Sequence, residues 1–276
     1  MSTGEPKRTV RRSLLTDDGE RIAAQLLQPT AAGTQPPEVG AIVVHGFSGS
    51  VDKPINYRVI ERLSRSIPVI AFDMRGHGAS SGECTLGDRE VNDVAAAVSW
   101  ARSRGWSRIV VVGFSMGAAV VVRYAGTVGG VAGVVSVSGP AFWNYRGTRV
   151  MRRLHFGVEN PMGRQFVRRV MKTRVIEPPW PKPWPVSPFQ AAAEIAPTPF
   201  LVVHGTEDQY FPLEHPRGLI HSAERGAVAR QVPNYEPQLW LRDFGHAEAT
   251  ISDGLLDAIS GWCLSCAVPA PVRPSH

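Results

Sequence analysis

The sequence predicts an α/β fold, and three observations predict it. Short β-branched runs alternate with longer helical patterns along most of the chain, the arrangement that gives a mostly parallel central sheet with helices on both faces. The 276 residues suit one such domain carrying an insertion. A composition of 43% hydrophobic and 20% charged residues supplies a sizeable core, and excludes a disordered chain, a collagen-like repeat or a coiled coil.

Each element follows from local pattern. Thr9 to Thr16 and Arg21 to Leu27 are predicted as an antiparallel pair turning at Asp17, Asp18 and Gly19. A linker rich in Pro, Thr and Ala from Pro29 to Val39 leads into a buried strand, Ala41 to Val44. Residues from about Ile55 to Ser64 are predicted helical, and Val69 to Phe72 a strand. Val91, Val94, Val98 and Ala101 recur at helical spacing, which predicts a helix from Leu86 to Arg104. A strand from Ile109 to Val112, a helix from Met116 to Ala125 and a strand from Val131 to Val137 continue the alternation.

There the rhythm breaks. Residues 140–190 hold Trp143, Tyr145, two arginine-rich helical stretches and a run of alternating prolines and tryptophans from Pro178 to Pro185. The segment is too long for a plain connection and too apolar in places for a linker, so a helical cap laid over the sheet is expected. Strands return at Phe200 to Val203 and Leu239 to Leu241, followed by a last helix from about Ala247 to Trp262. The expected organisation is a core of residues 1–139 and 191–266, a cap insertion of 140–190 and a disordered tail of 267–276. The first few residues are also expected to be disordered. No internal repeat is evident.

Charge adds a local feature. The formal net charge is +6, which taken alone suggests a nucleic-acid partner. Between Pro140 and Pro185, however, ten basic side chains face only Glu159 and Glu177, a local charge of +8, so the rest of the chain is slightly acidic. No nucleic-acid motif accompanies the segment, and a nucleic-acid partner is not expected. The basic stretch is either a solvated face or an attraction for an anionic substrate or surface. No apolar run approaches the roughly 18 residues that span a bilayer, and no apolar signal region follows the N-terminus. Stable membrane insertion is therefore not expected. Three cysteines make no disulfide framework, which fits a reducing compartment, and a cytoplasmic location is expected.

The strongest chemical signal is Gly113-Phe114-Ser115-Met116-Gly117, placed between an apolar strand and an Ala/Val-rich helix. A serine there sits on a tight strand-to-helix turn that projects its hydroxyl from the sheet edge beside a helix N-terminus. A hydroxyl is a weak nucleophile and needs a base oriented by a third group. Asp208 and His246 each follow a predicted strand, in the chain order Ser, Asp, His. Two backbone N–H groups are needed to hold a developing oxyanion. Met116 follows the serine, and Phe47 lies in the loop after the first predicted parallel strand.

The matching stretches are HGFSGS at 45–50, FDMRGHGASSGE at 72–83, GFSMGA at 113–118, HGTEDQYFP at 204–212 and DFGH at 243–246. With them the chain resembles the α/β-hydrolase superfamily in its serine esterase branch, and is similar to cinnamoyl/feruloyl esterase-like and serine aminopeptidase-like members. The resemblance spans about residues 38–262 and implies the α/β-hydrolase fold. It also implies Ser115 as nucleophile, Asp208 as acid and His246 as base, with no metal and no organic cofactor. Residues 140–190 match nothing in the family pattern.

Other candidates receive structural readings. His77 belongs to a turn, and His45 and His204 are expected to be loop histidines, with His45 near the pocket floor. Glu207 competes with Asp208, but the framing by Thr206 and the following Phe211-Pro212 favours Asp208. Asp243 and Glu248 are expected to be solvated or capping. Cys263 and Cys266 lack a redox or second-ligand context. Phe142 and Trp143, with Trp180 and Trp184, either line an acyl pocket or pin the cap.

The expected activity is hydrolysis of a carboxylic ester through an acyl-enzyme, on a small-molecule ester. Alternatives are a thioesterase acting on acyl-CoA or carrier-bound acyl groups, and a non-catalytic ligand receptor on the same fold. Epoxide hydrolase and dehalogenase chemistry is disfavoured because it needs an Asp in place of Ser115. Acyl chain length and oligomeric state are not specified by spacing.

Overall fold

The structure, a computed structural model, describes residues 9–29, 38–179 and 182–266. The opening pair folds as β1 (Thr9–Leu15) and β2 (Arg21–Leu27), antiparallel across the turn, where Thr16 Oγ donates to Asp18 at 2.6 Å. Chain order then runs β3 (Val39–Val44), α1 (Pro54–Leu63), β4 (Val69–Phe72), α2 (Glu90–Ser103), β5 (Arg108–Phe114), α3 (Met116–Thr127) and β6 (Gly133–Val137). The two arginine-rich stretches are α4 (Arg149–Glu159) and α5 (Pro161–Val170). There follow α6 (Pro188–Ala192), β7 (Phe200–Gly205), α7 (Glu214–Ala229), β8 (Gln238–Arg242), α8 (Ala247–Thr250) and α9 (Asp253–Ser265).

The eight strands form one sheet in the order β1-β2-β4-β3-β5-β6-β7-β8, parallel from β4 through β8. Strand periodicity splits each central strand between two cores. Ile42, Val44, Ile109 and Val111 face one layer with α2, α3, α6 and α7. Ala41, Val43, Val110 and Val112 face the other with α1 and α9. Each large side chain buried in this way contributes roughly 1.5–3 kcal/mol.

A buried ion network fixes the loop after β4. Arg75, 3% exposed, donates to Asp93 of α2 and, at 2.6 Å, to Asp18 in the β1–β2 turn. Removing one partner would leave an uncompensated buried charge, at a cost of about 3–5 kcal/mol.

Three helical assignments differ from the sequence pattern. The helix expected from Leu86 starts only at Glu90, because Leu86 and Gly87 take positive φ (57° and 103°) and Glu90 folds back onto the Thr85 and Gly87 N–H groups. The last helix is two, since the chain extends at Ile251 and Ser252 restarts it as a cap accepting from Leu255 N–H. Helix α7 lies in a stretch where the sequence pattern marks no element. The expected disordered tail, the first residues, most of the linker and Trp180 lie outside the described residues.

Candidate active site

Every group of the site sits at the C-terminal end of a parallel strand, where loops diverge and leave a crevice. Ser115 follows β5 and opens α3 with φ 52° and ψ −115°, a conformation that L-residues adopt only under constraint. Its N–H is held by Val137 O at 2.9 Å. The flanking glycines permit the turn. A Cβ on Gly113 would lie 2.2 Å from Gly117 O, and one on Gly117 would lie 2.4 Å from Val44 O.

His246, after β8, faces this serine: its Nε2 is 2.8 Å from Ser115 Oγ. Its Nδ1 is 2.8 Å from Asp208 Oδ2, after β7. An ionised carboxylate only accepts, so Nδ1 carries the proton and Nε2 is left to accept from the serine hydroxyl. Asp208 is fixed in turn by the N–H groups of Tyr210 (2.8 Å) and Phe211 (3.1 Å) on Oδ1. Burial opposes its charge, but the His246 hydrogen bond, the imidazole charge and the two amides outweigh it and hold the carboxyl below its ordinary value. Glu207 is exposed and takes no part. The Tyr210 ring stacks on His246 with centroids 4.0 Å apart and planes 22° apart, a contact with no signature in spacing.

The loop after β3 supplies donors. Gly46 N–H donates to Glu248 Oε1 at 2.7 Å, Ser48 N–H to His77 Nε2 at 3.2 Å, and Gly49 N–H to Gly46 O at 2.9 Å. The Phe47 N–H is left as the amide of residues 46–49 with no partner among the described residues. Met116 is the first residue of α3, so its N–H has no carbonyl one turn back.

Two histidines brace this loop from below. His45, expected at the pocket floor, is instead buried beneath the loop, with Nε2 accepting from Met74 N–H and Nδ1 donating to Gly46 O. His77 donates from Nδ1 to Arg75 O. Each ring accepts from a backbone N–H, a role that an imidazolium lacks, and burial lowers both pKa values, His77 to about 3. His204 is likewise buried, donating to Phe211 O at 2.8 Å.

Glu248 corrects the sequence reading. It is neither solvated nor a cap but 9% exposed, pointing into the loop after β3, and burial raises its pKa against the opposing Gly46 hydrogen bond. Asp243 is exposed and accepts from Thr206 Oγ.

A pocket opens over Ser115 and His246. Its near wall is Phe47 and Met116, and its far wall is α4, through Met151, Leu154, His155 and Val158. That spacing of three and four residues was legible as one helix face. Phe142 and Trp143 both line it. Phe142 lies against Phe189 and His215. Trp143 donates to Pro185 O at 2.9 Å and packs under the Arg123 guanidinium. Trp184 instead borders a separate shallow depression beside Trp143. Among the described residues no group of three or more His, Cys, Asp or Glu side chains is arranged to hold a metal ion.

Residues 42–152 match the family model of the α/β hydrolase fold. Solved structures align along nearly the whole chain. An esterase of Pyrococcus furiosus is 22% identical, covering 96% of this chain and 94% of its own, with a TM-score of 0.71. An esterase of Butyrivibrio proteoclasticus with ferulic acid bound is 18% identical over 92% and 98%, with a TM-score of 0.60. A serine hydrolase without a lid from Xanthomonas campestris is 19% identical over 95% and 94%, with a TM-score of 0.54. No curated protein sequence matches significantly. The chain is an α/β-hydrolase-fold protein. No helix among the described residues is long and apolar enough to cross a membrane.

Proposed function

We propose that the protein is a serine hydrolase that cleaves a small-molecule carboxylic ester through an acyl-enzyme. The observation that carries this reading is the continuous hydrogen-bond chain from Ser115 Oγ through His246 to Asp208, each link 2.8 Å. Structural likeness to esterases supports the same class.

In this reading Ser115 Oγ attacks the ester carbonyl as its proton passes to His246 Nε2. The carbonyl oxygen, now carrying the electron pair, receives the Phe47 and Met116 N–H groups, each donor being worth about 10²–10³ in rate. His246 returns the proton to the departing alcohol and leaves an acyl-Ser115 ester. Water, deprotonated by the same nitrogen, then releases the acid and restores the hydroxyl. Asp208 holds the tautomer that allows Nε2 to act and stabilises the imidazolium between steps. Residues 140–190 act as the cap, and the apolar wall of α4 receives the acyl group.

Intact-mass labelling with a fluorophosphonate tests the assignment without a guess at substrate. One stoichiometric adduct on the wild type and none on Ser115→Ala is expected. A folded wild type that takes no adduct overturns the proposal and favours a ligand receptor. A panel of esters and thioesters of rising chain length then identifies the leaving group.

A further inference from the structure

We propose that the outer face of the α4–α5 hairpin docks the protein onto an anionic lipid surface. Four large apolar side chains project there within fifteen residues of chain: Phe156 (69% exposed), Met162 (83%), Phe166 (58%) and Val170 (62%). Elsewhere side chains this exposed stand singly, such as Leu15 on β1 and Val228 on α7. Met162, Phe166 and Val170 recur every fourth residue and so form one stripe along α5. On α4, Arg149, Arg152, Arg153 and Phe156 share one face and border one shallow surface depression.

The charge around these residues lacks compensation. The segment's two carboxylates, Glu159 and Glu177, are engaged by Arg146 and Arg164. Among the described residues Arg149, Arg152, Arg153, Arg168, Arg169 and Lys172 have no carboxylate within ion-pair distance. Apolar side chains ringed by uncompensated cations match the boundary of an anionic bilayer, where the first enter the acyl region and the second meet headgroups. Met162 and Val170 have no π-face for a base, which favours lipid over a nucleic acid. Helices of 11 and 10 residues are half the length of a span, so the contact is peripheral.

Helix α4 has two working sides. Met151, Leu154 and Val158 face the pocket, and Arg149, Arg153 and Phe156 face away, so one helix thickness separates a docked surface from Ser115. The docking inference does not depend on catalysis, and is tested on Ser115→Ala protein alongside the wild type.

Sedimentation with phosphatidylcholine vesicles, with and without phosphatidylglycerol, reads the partition. Both proteins are expected on the phosphatidylglycerol vesicles, less so at high salt, and little on phosphatidylcholine alone. The variant R149Q/R153Q/R168Q is expected to lower partition by at least about 30-fold. F156S/F166S is expected to lower it by at least about tenfold, with unchanged melting and unchanged turnover of a water-soluble ester. Four results overturn the proposal: no partition of the wild type; partition of both variants unchanged from the wild type; tighter binding to a single-stranded oligonucleotide than to vesicles; or self-association that F156S/F166S abolishes.

Discussion

The Glu248 carboxylate accepts the Gly46 N–H at 2.7 Å and joins two loops 202 residues apart in sequence. One carries His246 and the other the Phe47 amide, so a single side chain sets against each other the groups that the proposed reaction uses as base and oxyanion donor. Glu248→Ala is expected to leave a buried N–H unpaired, costing about 1–3 kcal/mol in denaturant unfolding. It should also lower kcat by about tenfold to hundredfold, with KM less affected. Glu248→Gln keeps an acceptor. Burial raises the wild-type acid, so its stabilising protonated form is lost as pH rises from about 4.3 through the higher folded value. The Gln variant should therefore match or exceed wild-type stability at alkaline pH, and a less stable Gln variant would contradict this account.

Asp208→Asn places an amide where Oδ2 receives the His246 proton, and should lower kcat by about 10³–10⁴-fold through the wrong tautomer. Glu207→Gln, at an exposed position, should leave kcat within about twofold. Steady-state kinetics of both variants separates the two neighbours, and a severe Glu207 effect would move the acid by one residue.

Met151 is 7% exposed and forms part of the pocket's far wall. Met151→Ala should cost about 2–5 kcal/mol and lengthen the acyl chain giving the highest kcat/KM, because the cavity opens along the substrate's path. An ester series of rising length provides the measurement. An unchanged optimum would place the acyl group elsewhere.

Acid should unfold the protein early. His45, His77, His155, His204 and His215 are buried, and burial lowers all five, His77 to about 3 and His215 to about 4. Their depressed values give stability that is complete above about 6.5 and lost as pH falls toward the folded values, since the unfolded chain takes up protons first. Each such histidine removes about 1.4 kcal/mol per pH unit in that window. Asp93 and Glu248, raised by burial, act in the opposite sense as two groups against five. Chemical denaturation at pH 7 and pH 5 should show a clear fall in unfolding free energy. A flat profile would mean that these rings are not held neutral.

Much of the site was legible because backbone rules leave local marks. Strand, glycine, serine, glycine and helix in succession admit few geometries, which is why Ser115 could be placed and why Asp208 and His246 could be read after their strands. Glu248 left no such mark, since its burial depends on Gly46 across the molecule. Helix α7 was hidden by its composition. Its buried stripe uses His215, Leu219, Ala223 and Ala227, with Pro216 in the first turn, and so lacks the run of large aliphatics that marks α2. The break before α9 was invisible for the opposite reason, because apolar spacing runs across Ile251 and only the Ser252 cap divides it.

Ser115 and His246 stand 131 residues apart, with α3, β6, α4 to α7, β7 and β8 between them. The serine therefore leaves the ribosome long before its base exists, an interval of about 7–26 s at ordinary elongation speeds. During that time the hydroxyl is an ordinary alcohol. Only when the edge strand β8 joins β7 does the imidazole reach it, so the hydrogen-bond chain from Ser115 to Asp208 closes only when nearly the last of the sheet has been made.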